Sequence, residues 1–72
     1  ATAEIVVEIL SPGERRGEKL PFYAAQNVRE YLEVDLAHRT ARLLAHHDGT
    51  WEPIDTSTVL DLSVAEVDAL LA

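Results

Sequence analysis

Two periodicities alternate along this chain and predict its elements. From Thr2 to Leu10 the pattern repeats every second residue: Ile5, Val7 and Ile9 share one face, with Glu4, Val6 and Glu8 on the other. This predicts a strand. Ser11-Pro12-Gly13 ends it, because proline has no amide hydrogen for a ladder and glycine favours a turn. Between Gly17 and Val28 the period lengthens, and Leu20, Tyr23, Ala24 and Val28 form a helical stripe. Pro21 fits only the first turn, where its missing donor costs little, so the helix proper begins near Leu20.

Alternation returns from Tyr31 to Leu36, with Leu32, Val34 and Leu36 set against Tyr31, Glu33 and Asp35. Two strands joined through a helical connection predict parallel pairing by a right-handed crossover. Ala37-His38-Arg39 reads as a turn into a third strand, Thr40 to His46. Asp48-Gly49 is the signature of a two-residue hairpin, and Trp51 to Ile54 is the returning strand, which Pro53 marks as an edge. Thr56-Ser57-Thr58 reads as a polar loop and Val59 to Leu62 as a short extended piece. Ser63 and Glu66 make a capping box for a last helix, with Val64, Val67, Leu70 and Leu71 on one side. That helix has too few residues to be stable alone, so it must dock. The expected class is α+β: one domain over residues 1–72, with a small mixed sheet, one crossover helix and a short C-terminal helix.

Composition narrows the picture. A chain of 72 residues buries only about 60% of its unfolded surface. The absence of cysteine removes disulfides and thiolate zinc sites as staples. Regular packing, a partner or self-association must therefore supply the stability. No apolar run approaches the roughly 20 residues of a membrane span, and nothing resembles a cleaved signal, so a soluble cytoplasmic protein is the expectation. A net charge of −7 opposes DNA binding, which draws on clustered Lys and Arg. Arg15, Arg16 and Lys19 form one basic segment, either a local phosphate contact or a solvated loop.

Candidate chemistry starts with Glu8, whose carboxylate stands near the end of a strand, next to a turn, and suits Mg²⁺ or Mn²⁺. Glu4 lies on the same face. Four residues of strand span about 13 Å, too far for both to hold one ion. The alternative is that Glu4 and Glu8 line a solvent face. Lys19 could orient a water or offset charge on a phosphate, or it is simply a surface lysine. Glu33 and Asp35 either complete an acidic patch or face water. His46 and His47 are adjacent on a strand, point to opposite faces and cannot chelate one metal together. Ser11 has no His/Asp partnership nearby, Phe22 and Trp51 read as core or interface aromatics, and no glycine-rich phosphate loop occurs.

Three segments in order carry a resemblance: Glu8-Ile-Leu-Ser-Pro12, Lys19 with Tyr23-Ala24, and Val28-Arg-Glu-Tyr31 continuing to Val34-Asp35. Together they resemble the Uma-two family of restriction endonucleases within the PD-(D/E)XK nuclease superfamily. Arg39 to Leu43, Asp48-Gly49 and Leu60 to Ser63 extend the similarity over nearly the whole chain. The resemblance implies a restriction-endonuclease-like half domain that corresponds to the C-terminal half of family domains. It implies that Glu8 is the metal-binding glutamate, Lys19 the catalytic lysine and Mg²⁺ or Mn²⁺ the cofactor. The family's additional aspartate belongs to the N-terminal half. Its usual Pro-Asp is Ala3-Glu4 here, which leaves Glu4 as a substitute ligand, and Leu10 stands where the superfamily motif puts its lysine.

Three readings follow from the resemblance. The first and expected one is a catalytically impaired nuclease-fold module that acts through homodimeric association. The second is an active Mg²⁺- or Mn²⁺-dependent endonuclease with its site assembled across a homodimer. The third is a segment of a longer enzyme.

Overall fold

The computed structural model describes residues 4–72. Its elements are β1 (Ile5–Leu10), α1 (Leu20–Ala25), β2 (Glu30–Asp35), β3 (Thr40–His47), β4 (Thr50–Pro53), β5 (Thr56–Ser57), β6 (Leu62–Ser63) and α2 (Val64–Leu71). A four-stranded sheet runs in the order β1-β2-β3-β4, and β5 and β6 form a separate pair. β1 and β2 are parallel, whereas β2–β3 and β3–β4 are antiparallel. The expected α+β class and mixed sheet are therefore what the chain forms. The start of the first predicted strand, at Thr2, lies outside the described residues.

Local chemistry explains the boundaries. Lys19 is the N-cap of α1 and makes no side-chain cap, while Pro21 sits in the first turn. Asn27 ends this helix in the left-handed region at φ 57°. In the β2–β3 turn the Asp35 carboxylate accepts the His38 N–H at 3.1 Å. Asp48 and Gly49 both take positive φ, 49° and 86°, as a two-residue hairpin requires. Ser63 and Glu66 close the capping box in both directions, each backbone amide donating to the other side chain at 3.1 Å.

Register divides the sheet into two unlike faces. Leu32, Val34, Leu43 and Val67 form the buried apolar core on the α2 side, with Ile5, Ile54, Leu62, Val64 and Leu71 packed around it. Each fully buried Val or Leu contributes about 1.5–3 kcal/mol there. Asp68 of α2 accepts the Ala41 N–H at 2.8 Å and so fixes the helix to β3. The opposite face carries Glu8, Tyr31, Glu33 and Asp35 beneath α1 and the loop that precedes it. Among the described residues no helix is long and apolar enough to cross a membrane.

Several expectations need correction. Thr56–Ser57 is a strand, and the extended piece expected from Val59 to Leu62 is instead a turn that reaches strand only at Leu62. The cause is Glu30, a buried carboxylate that accepts from Ser57 Oγ, from the Thr58 amide at 3.0 Å and from Thr58 Oγ1 at 2.8 Å. Ser57 Oγ accepts in turn from the Val59 and Leu60 amides at 3.2 and 2.9 Å, which curls the chain. Leu70, assigned to the docking stripe of the last helix, is 81% exposed, because the buried stripe is narrower and centres on Val67. Of the two alternatives for Phe22, the core is excluded: it is exposed and meets Tyr23 edge-on.

Candidate active site

Register builds the site. Glu8 is paired with Glu33 across β1 and β2, and Glu33 with Arg42 across β2 and β3. Paired residues point to the same side of a sheet, so the three side chains stand in one row. Glu8 is half-buried at the β1 end of this row. Its Oε1 lies 3.8 Å from Lys19 Nζ, and its Oε2 accepts the Tyr23 hydroxyl at 3.4 Å. The turn after β1 and the start of α1 thus carry lysine and tyrosine back over the strand they have just left. Glu8 and Lys19, both expected as site residues, are brought together.

Glu4 is not part of this group. Its carboxylate pairs with Arg29 Nη1 at 3.0 Å, on the exposed end of the sheet. β1 pairs with β2 in unbroken register from Ile5 to Leu10, so no bulge draws Glu4 toward Glu8. His46 and His47 diverge as expected: His46 stacks against Trp51, and its Nε2 accepts the Gly49 amide at 2.8 Å. Trp51 donates to the Leu20 carbonyl at 3.1 Å and so fastens the first turn of α1 to β4.

The centre of the row is neither an acidic patch nor a solvent-facing strand but a buried ion network. Glu33 has a side chain only 1% exposed. Its Oε1 accepts from Arg42 Nε at 2.8 Å, and its Oε2 accepts from the Tyr31 hydroxyl at 2.7 Å and the Gly17 amide at 2.9 Å. Burial pushes the Glu33 carboxyl up, but the Arg42 and Tyr31 hydrogen bonds and the Gly17 amide outweigh it and leave it below the ordinary carboxylate value. Burial and the adjacent Glu33 carboxylate raise the Tyr31 phenol, which stays neutral and donates. Asp35, one row on, is held at about 2, chiefly by hydrogen bonds from the His38 ring and backbone and also by Arg16 at 3.2 Å. Arg16, Arg42, Thr40 and the two carboxylates line an open pocket of about 220 Å³.

One signal could have found the pair. The predicted turn between the second and third strands sets their register, and that register places Arg42 opposite Glu33. Opposite charges facing one another across a hairpin are legible once the turn is placed.

The residues test the implied metal. Mg²⁺ and Mn²⁺ take about six oxygen ligands, usually with more than one carboxylate. Glu8 offers one hard carboxylate, while both oxygens of its neighbour Glu33 are taken by arginine, tyrosine and a backbone amide. Among the described residues no group of three His, Asp or Glu side chains is placed to hold an ion. The set is a single ligand beside a lysine, and it does not amount to a cage.

No curated protein matches the chain. The model of one family, Uma2, described as "Putative restriction endonuclease", matches residues 1–70. The match includes Glu8, Lys19 and the whole four-stranded sheet, and the chain therefore belongs to the Uma2 family.

Proposed function

We propose that the chain is a nuclease-fold module that keeps the carboxylate–lysine half of a metal-dependent phosphodiester-hydrolysing site and is impaired in cleavage on its own. The observation that carries this reading is Glu8 lying 3.8 Å from Lys19 with no group of three His, Asp or Glu side chains placed to hold an ion among the described residues. In such a site Glu8 would be one oxygen ligand, and the Lys19 ammonium would offset charge developing on a phosphoryl oxygen. Mg²⁺ or Mn²⁺ would supply Lewis acidity. The remaining ligands would be waters, phosphate oxygens or groups of another chain. The net charge of −7 opposes tight DNA binding by this stretch alone.

A homodimer that supplies the missing ligands is the second reading. What favours it is the open edge of β1, where Val7 and Ile9, on the α2 side of the sheet beside Leu32 and Val34, remain 53% and 58% exposed. Uncovered apolar residues on an edge strand invite pairing with another chain.

The test is Mn²⁺ titration by calorimetry on the wild type and Glu8→Ala, beside a plasmid-nicking assay and light scattering. Impairment predicts weak, Glu8-dependent Mn²⁺ binding and no nicking. Efficient nicking by the isolated chain, lost in Glu8→Ala, would overturn impairment and support the shared site if the particle scatters as a dimer. Heat of Mn²⁺ binding unchanged by Glu8→Ala would sink both readings.

A further inference from the structure

We propose that Glu33 is a positioning residue: it fixes the turn that carries Lys19 and so sets the distance between Lys19 and Glu8. This deepens the functional reading above and rests on it for the role of Lys19. The difficulty it resolves is that the Lys19–Glu8 pair cannot hold itself. The Lys19 side chain is 62% exposed, and an exposed ion pair is worth at most about 1 kcal/mol against the entropy of a long side chain. Lys19 also lacks any capping bond of its own at the start of α1.

What holds the backbone lies two residues earlier. The Gly17 N–H donates to Glu33 Oε2 at 2.9 Å, and the Gly17 carbonyl accepts the Leu20 amide at 3.2 Å. Lys19 is thus enclosed between a buried anion and the first turn of its helix, where its own carbonyl accepts the Tyr23 amide at 3.0 Å. Gly17 has φ +65°, and a Cβ there would lie 2.8 Å from Arg42 Nη2 and 2.9 Å from Leu20 Cδ1. A side chain there would be strained by the positive φ and would have to displace Arg42 or Leu20.

Glu33 is itself immobile, held by Arg42 on β3 and Tyr31 on its own strand. Because β2 is paired with β1 in a register that sets Glu33 beside Glu8, the anchor and the target share one rigid frame. Arg16 reinforces the same turn through Asp35 at 3.2 Å and approaches Glu33 at 3.9 Å.

Lys19 is the chain's single lysine, which makes the geometry directly measurable. A carbodiimide joins a carboxylate to an amine with loss of water and adds no spacer, so the Glu8–Lys19 amide forms only if the two groups meet. Peptide mass mapping of the wild type should show that link. Glu33→Gln cannot satisfy Arg42, Tyr31 and Gly17 together, and it should slow coupling per folded molecule roughly tenfold, the scale of one lost charge-assisted hydrogen bond. Glu30→Gln, a buried carboxylate on the other face, should lower stability and leave the coupling rate unchanged.

Wild-type coupling in a folded Glu33→Gln protein would overturn the proposal. If that variant does not fold, amide exchange of the wild type decides: protection at Gly17 supports the anchor, and exchange as fast as an unstructured glycine overturns it. Neither measurement uses metal or DNA. A failed nicking or calorimetry result therefore bears on the functional reading and leaves the coupling result standing.

Discussion

From Tyr31 to Asp35, the two faces of β2 bury their side chains by opposite means. Toward α2, Leu32, Val34, Leu43 and Val67 make an ordinary apolar core. Toward α1, Tyr31, Glu33 and Asp35 alternate with those same core residues along β2 and are just as buried, yet they are polar or charged. The apolar face gains from leaving water. The polar face must offset desolvation bond by bond, and among the described residues no buried side-chain nitrogen or oxygen is left without a partner. A non-directional core tolerates small movements. A network of directed bonds fixes positions, which suits the face that carries Glu8 and Lys19.

The largest effect expected from breaking this contrast is on the polar side. Arg42→Met leaves Glu33 buried without its main partner and should cost about 3–5 kcal/mol by urea denaturation. Adding Glu33→Leu to Arg42→Met should recover much of that loss, because the unpaired charge goes with it. A double variant no more stable than Arg42→Met would place the cost in shape rather than charge.

Leu43→Ala on the apolar side should cost about 2–5 kcal/mol in the same measurement. It should leave Glu8–Lys19 coupling per folded molecule as in the wild type, since Leu43 faces away from the network. Slower coupling would show that the two faces are not independent.

Buried carboxylates on both faces make the fold respond to pH. Asp35 is lowered from 3.8 to about 2, and Glu33 and Glu30 are lowered from 4.5. A depressed carboxyl contributes stability that is present above its unfolded value and lost as pH falls through its folded one. The Tyr31 phenol is raised from 10.0, so its contribution is present below that value and lost as pH rises beyond it. Thermal melts should therefore show a plateau from about pH 5 to 9, with losses below 4.5 and above 10. In the Glu33→Leu/Arg42→Met double variant the acid loss should shrink, and an unchanged acid limb would assign it to Glu30 and Asp35.

The smallest effect on stability is expected at the exposed pair. Lys19→Met should change stability by less than about 1 kcal/mol in denaturant melts, while abolishing the coupled product. A larger loss would mean that Lys19 helps hold the turn rather than being held by it.

Much of this arrangement was legible beforehand. The period of two marked β1, β2 and β3, the Asp-Gly pair marked the hairpin, and Ser63 with Glu66 marked the start of α2. Glu8 and Lys19 were singled out, and they meet. The β5–β6 turn was misread because its shape depends on Glu30, which lies 27 residues before Ser57 in the chain. Leu70 lies outside the buried strip because helical periodicity shows which residues share a stripe and not how wide a strip the sheet covers.

By itself, then, the sequence determined the four strands of the main sheet and the two helices, the parallel and antiparallel order that their connections allow, and the family to which the chain belongs. Alternation divided β2 into two faces but could not say that both would be buried. Only the tertiary structure decided that Glu33 leaves water, because its partners come from three other places: Gly17 in the loop before α1, Tyr31 on its own strand and Arg42 on β3. Burying a carboxylate is unfavourable until all of those donors arrive, and they arrive together only when the strands are in register and the loop has folded back.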